Sequence, residues 1–248
     1  MKEEPGEIAS LIGSLNHANK RVIRQAADSL IAMAPRLPQL AQRLDQLLSE
    51  TPQQSRWPIA YVLARLSKLS PLCLGVLIDT LDDRDPDIRW AAARLLVDLG
   101  KINRDIDVLV LRVVKIGTAV QRRMALYCLR DLQLSDAASL QALLDALQDT
   151  DPLVRLAAVT SVKSRPDAVK EGAAVLLRLF LEDPDAGVRH NAAIALAQAP
   201  PTDEIRAALE KASVSENAQL KKAANAALAL MKKKGPSEPQ AVDGPSVD

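Results

Sequence analysis

Aromatic side chains are almost missing from this sequence: two Trp, two Tyr and one Phe in 248 residues. Glycine is also scarce, with nine. Ala, Leu, Arg and Asp take their place, a composition that favours helix and disfavours sheet. Only two cysteines occur, Cys73 and Cys128, far apart in helix-like runs and in no CxxC pair. They read as buried, reduced thiols. The two histidines, His17 and His190, are also far apart, and no His-Glu pair or HExxH is present. The expectation is no metal site and no cofactor. GxSxG, Walker A and GxGxxG motifs are missing as well, so the chain reads as a non-enzyme. No run approaches the roughly 18 apolar residues of a membrane span. The opening "MKEEPGEIASLIGSL" is acidic and has no apolar signal core. A cytoplasmic protein without a membrane partner is expected. The net charge of +1 gives no overall bias towards nucleic acid.

What the chain does contain is a repeat. "DPDIRWAAARLL" at 85–96 returns as "DPLVRLAAVTSV" at 151–162 and "DAGVRHNAAIAL" at 185–196. Anchored on its arginine, the phrase falls at Arg24, Arg56, Arg89, Arg122, Arg155, Arg189 and Lys221, with spacings of 32, 33, 33, 33, 34 and 32 residues. Three, seven and ten residues after the anchor, 20 of 21 positions are apolar. Those offsets share one face of a helix. The anchor therefore opens an amphipathic helix, B. A second apolar-periodic run, helix A, precedes it, most clearly at 72–81, 139–148 and 173–182. Asp and Pro between A and B suit a tight turn and the first turn of B. Two helices every 33 residues cannot bury their faces alone, so neighbouring units must stack. A near-continuous alanine column three residues after the anchor allows close approach.

The phrase Asp-Pro-x-Val-Arg-x-x-Ala-Ala resembles the HEAT repeat, in the short form known as PBS-lyase HEAT-like repeats. The match covers about residues 7–233. It implies an all-α fold: a right-handed α-solenoid of about seven two-helix repeats, a single body over 1–234. It also implies a hydrogen-bonded ladder of turn aspartates and helix-B arginines, here Asp85, Asp151 and Asp185 with Arg89, Arg155 and Arg189. Repeats one, two and four lack the turn aspartate ("NHANKRVIR", "TPQQSRW", "GTAVQRR"). Ankyrin and TPR units have similar periods, but their Thr-Pro-Leu-His and Trp/Tyr/Pro patterns do not occur. Beyond Lys234, "GPSEPQAVDGPSVD" has no apolar periodicity and reads as a disordered tail, 235–248.

In a HEAT-type solenoid helix B lines the concave surface. Offsets one, five, eight and twelve then face the groove. Four of the five aromatics fall in these 28 positions, and nine Lys or Arg against one acid, although the whole chain is balanced at 32 to 31. The candidate binding residues are Trp57, Tyr61, Trp90, Arg94, Arg123, Tyr127, Arg130, Lys163 and His190. Exposed aromatics with arginine are typical anchors of interfaces. The competing reading has the aromatics filling gaps between neighbouring B helices, with late basic residues answering the helix dipole.

The function expected is a non-catalytic scaffold or adaptor that binds an acidic protein partner through a basic, aromatic-containing groove. Two alternatives stay open. One is a HEAT-like DNA-binding protein or alkylpurine-type DNA glycosylase, with Trp57, Trp90 and a groove-margin acid at Asp98 or Asp131. The other is a bilin lyase or lyase-like chaperone. Deoxyhypusine hydroxylase, a HEAT-repeat enzyme family, builds a di-iron site from His-Glu pairs, and this sequence has none.

Overall fold

A computed structural model describes residues 5–234; the segment 235–248, expected to be a tail, lies outside the described residues. All regular elements among the described residues are helical. They group into two compact units, one up to Ala142 and one from Leu143 onward.

In the first unit the B helices are α2 (Lys20–Met33), α4 (Trp57–Arg65), α6 (Pro86–Gly100) and α8 (Ala119–Leu132). Their A partners are α1 (Pro5–Ser14), α3 (Leu40–Glu50), α5 (Pro71–Thr80) and α7 (Asp105–Ile116). Successive B helices pack directly on one another, α2 on α4, α4 on α6 and α6 on α8. Helix α9 (Ala137–Ala146) carries the boundary between the units. The second unit continues with B helices α10 (Pro152–Val162), α13 (Ala186–Leu196) and α15 (Ala218–Lys234). There α10 packs on α13 and α13 on α15. Its A helices are α12 (Ala173–Glu182) and α14 (Asp203–Ser213), and a short extra helix, α11 (Pro166–Glu171), precedes α12.

Local chemistry sets the helix boundaries. Asp85, Asp151 and Asp185 are N-caps whose carboxylates accept backbone N–H groups of the first turn. Pro86 and Pro152 follow at the first helical position, where no donor is lost. Repeat four has no aspartate at this place, and Thr118 with Gln121 forms a reciprocal capping box instead. Pro58 sits in the first turn of α4, which begins at Trp57 without a side-chain cap. The alanine column, Ala27, Ala92, Ala125, Ala158, Ala192 and Ala224, is at most 2% exposed throughout. A methyl group there lets neighbouring helices close on each other with no void.

Candidate functional site

The aromatic residues of the first unit form two pairs. Trp57 and Tyr61, one turn apart on α4, meet edge to face with ring centroids 5.5 Å apart. Trp90 on α6 and Tyr127 on α8 stack across adjacent B helices, at 5.2 Å and 22° between planes. The first pair follows from the sequence, since offsets one and five share a helix face; the second joins offset one of α6 to offset five of α8, a register across the joint that spacing within one helix does not give. Trp90 remains 47% exposed, whereas Trp57, Tyr61 and Tyr127 are half-buried.

Arginines surround these rings. The Arg130 guanidinium lies 5.2 Å from the Tyr127 centroid, and its Nε donates to Asp131 Oδ1 at 2.7 Å. Arg65, which the offset scheme leaves out, lies 6.0 Å from the Tyr61 centroid and donates to its hydroxyl at 3.3 Å. Its signal in the sequence is the spacing of four from Tyr61. Arg94 is one turn after Trp90, exposed; Arg123 is one turn before Tyr127, half-buried. Neither has a hydrogen bond or an ion pair among the described residues.

Lys163 and His190 belong to the second unit. Lys163 Nζ donates to Asn191 Oδ1 at 3.2 Å, and burial lowers its pKa. His190 is half-buried on α13. The open face of the B helices is narrower than the offsets imply. At offset eight, Ala64, Val97 and Ala197 are buried, because each B helix is flanked by B helices of its neighbours.

The ladder residues divide their work in a way the resemblance does not convey. The turn before each B helix carries two aspartates. The first, Asp83, Asp149 or Asp183, accepts the backbone N–H of the second at 2.8–2.9 Å. The second, Asp85, Asp151 or Asp185, caps the helix rather than meeting an arginine. The anchor arginine then folds back onto its own turn. Arg89 Nη1 donates to the carbonyls of Asp83 and Arg84, Arg155 Nη1 to those of Asp149 and Thr150, and Arg189 Nη1 to those of Asp183 and Pro184. Asp183 joins one repeat to the next. It receives Arg155 Nε at 2.7 Å and Nη2 at 2.9 Å, with the two side chains only 11% and 2% exposed. Asp85 has a different ion-pair partner, Lys20 at the start of α2.

The acids proposed for a glycosylase are both engaged. Asp98 pairs with Lys101 at 3.4 Å and Asp131 with Arg130. No cluster of three or more metal-ligating side chains occurs among the described residues. No helix among them is long and apolar enough to cross a membrane. Cys73 and Cys128 are buried, and burial pushes both thiols up to about 12, where they are poor nucleophiles. The sequence reading also passes over a cleft of about 1020 Å³ in the second unit, lined by Pro166, Lys170, Pro200, Arg206 and Met231 among others. Its walls come from α11, α14, the loop after α13 and the last turns of α15, and α11 has no counterpart in the repeat pattern.

Residues 118–197 match the family model of HEAT repeats. None of the curated proteins matches the chain. Among solved structures, a mutant of Kap121p is similar over 92% of this chain and 29% of its own length, at 14% identity and a TM-score of 0.60. An engineered protein is 21% identical over 79% of this chain and 97% of its own, with a TM-score of 0.48. Human deoxyhypusine hydroxylase is 14% identical over 92% of this chain and 96% of its own, at a TM-score of 0.40. The fold is commonly a protein-interaction scaffold and typically non-catalytic. Residues 118–197 are HEAT repeats, and the chain has the fold of HEAT and armadillo-type repeat proteins.

Proposed function

We propose that this chain is a non-catalytic scaffold of the cytoplasm that binds an acidic protein partner through the B helices of its first unit. The observation that carries this reading is the Trp90–Tyr127 stack. Nearly half of an indole stays open to water beside two arginines without ion-pair partners. Apolar aromatic surface left exposed at such a place is what interface anchors look like before binding. Arg94 and Arg123 supply forked donors that match carboxylates.

The test is affinity capture from the native host with the wild-type chain and with a Trp90→Ala/Arg94→Glu/Arg123→Glu variant, each shown folded by circular dichroism. A protein retained by the wild type and lost by the variant supports the reading. Equal retention by both overturns the assignment to this face. Capture of nucleic acid that weakens steeply with salt replaces the protein partner.

A further inference from the structure

Resting on that reading, we infer that the partner docks through an extended acidic segment with a single planar side chain, which lies on the open face of Trp90 between carboxylates held by Arg94 and Arg123. Three observations carry this. First, Tyr127 covers one side of the indole at 22° between planes, leaving 47% of Trp90 exposed. An offset stack continues most readily with another flat ring, since each added ring keeps the favoured displaced geometry. Second, the nearby charge is not equally available. Arg130 is committed to Asp131 and to the Tyr127 ring, and Lys101 to Asp98. The two uncommitted guanidinium groups are Arg94 and Arg123, each one helical turn from one member of the stack. They stand on adjacent packed helices, one on each side of the joint. Third, positive charge on both helices disfavours a cationic guest on the indole, which would otherwise suit an aromatic face. The guest is therefore flat and uncharged, and the groups beside it are anionic.

A protein segment fits better than a nucleic-acid strand. Single strands are tracked by a run of cations and successive stacking platforms. Here one platform has two free cations, on a chain whose net charge is +1.

The test uses the full chain carrying Trp57→Phe, so that Trp90 is its one remaining tryptophan. Tryptophan emission is followed while the synthetic peptide Gly-Asp-Glu-Phe-Glu-Asp-Gly is added; phenylalanine contributes no emission in that range. The expected result is a saturable change in Trp90 emission. It weakens about tenfold when the peptide's Phe becomes Ala, and by as much when the protein carries Arg94→Glu with Arg123→Glu. No saturable change up to about 1 mM peptide overturns the inference, at the lower end of measurable affinity. So does an equal response to a peptide with Lys in place of its acids, or tighter binding of an oligothymidylate. Failure of the peptide together with loss of the captured partner in the triple variant leaves the surface standing and removes only the partner chemistry assigned here. Failure of both removes the surface as well.

Discussion

The α10–α13 joint in the second unit and the α6–α8 joint in the first begin with the same arginine and end differently. Arg155 crosses to Asp183 with two hydrogen bonds. Arg89 makes the same bonds to its own turn, but its Nε is buried with no partner among the described residues. Asp183 stands six residues before the next anchor; the corresponding residue after Arg89 is Ile116, 70% exposed. The first unit closes its joint by other means. Gln121 Nε2 reaches back to the Ile78 carbonyl at 3.2 Å, and Trp90 stacks on Tyr127. Arg189 repeats the lesson in the second unit. Six residues before Lys221 stands Ser215, and Arg189 Nε is likewise buried without a partner. A repeat can lose one partner of its internal ladder and keep its stacking, because buried apolar columns carry most of the joint.

The largest effect comes from breaking the Arg155–Asp183 rung. Asp183→Ala leaves a buried guanidinium uncompensated and removes the acceptor for the Asp185 N–H, a loss of about 3–5 kcal/mol measurable by urea unfolding. Overfilling the alanine column is next. Ala125→Leu in the first unit and Ala192→Leu in the second should each cost about 1–3 kcal/mol, since neither site, at 0% exposure, has room for a larger side chain. Equal stability of these variants would mean the helices can spread.

Adding the missing rung should act in the opposite direction. Ile116→Asp gives Arg89 Nε an acceptor and stabilises by about 1 kcal/mol, with Ile116→Ala as the control that separates the new bond from loss of the exposed isoleucine. A melting temperature no higher than that of the control would show that the first joint has a different spacing. Trp90→Ala tests whether the stack is packing or contact surface. A folding cost within about 1.5 kcal/mol, the range of one aromatic pair, fits a half-open ring kept for binding, and a much larger cost fits a structural wedge.

The smallest effect is on the acid side. Lys20 holds the Asp85 carboxyl below its ordinary value of 3.8, and Arg165 does the same for Asp167. Folded-state values that are lowered add stability above pH 3.8, and that share is lost as pH falls through the lowered values. Melting temperatures at pH 2 to 5 should show a slightly shallower slope for Asp167→Asn than for the parent chain.

Much of this was readable in the sequence. The 33-residue period, the alanine column and the Asp-Pro helix starts all act within one or two helical turns, so residue spacing reports them directly. Trp57 with Tyr61 could be anticipated because residues four apart share a helix face, whereas Trp90 with Tyr127 joins different offsets on two helices and is decided by their packing. Less was visible where a contact depends on which of two similar residues faces across a joint. Asp183 and Asp185 are both turn aspartates, and only the path of the turn puts one on the arginine and the other on the helix N-terminus. The reduced exposure at Ala64, Val97 and Ala197 was hidden for a related reason: periodicity gives a direction around one helix and says nothing of the width of its neighbours.

The sequence by itself determined that the chain is helical, that its helices come in pairs and that the pairs must stack, because composition and apolar spacing act locally and repeat. Only the tertiary structure decided which charges remain uncommitted. Arg94 and Arg123 are left without partners while Arg130, Lys101 and Arg155 are taken, and that depends on which carboxylate lies within about 3 Å of which guanidinium or amine across a turn or a joint.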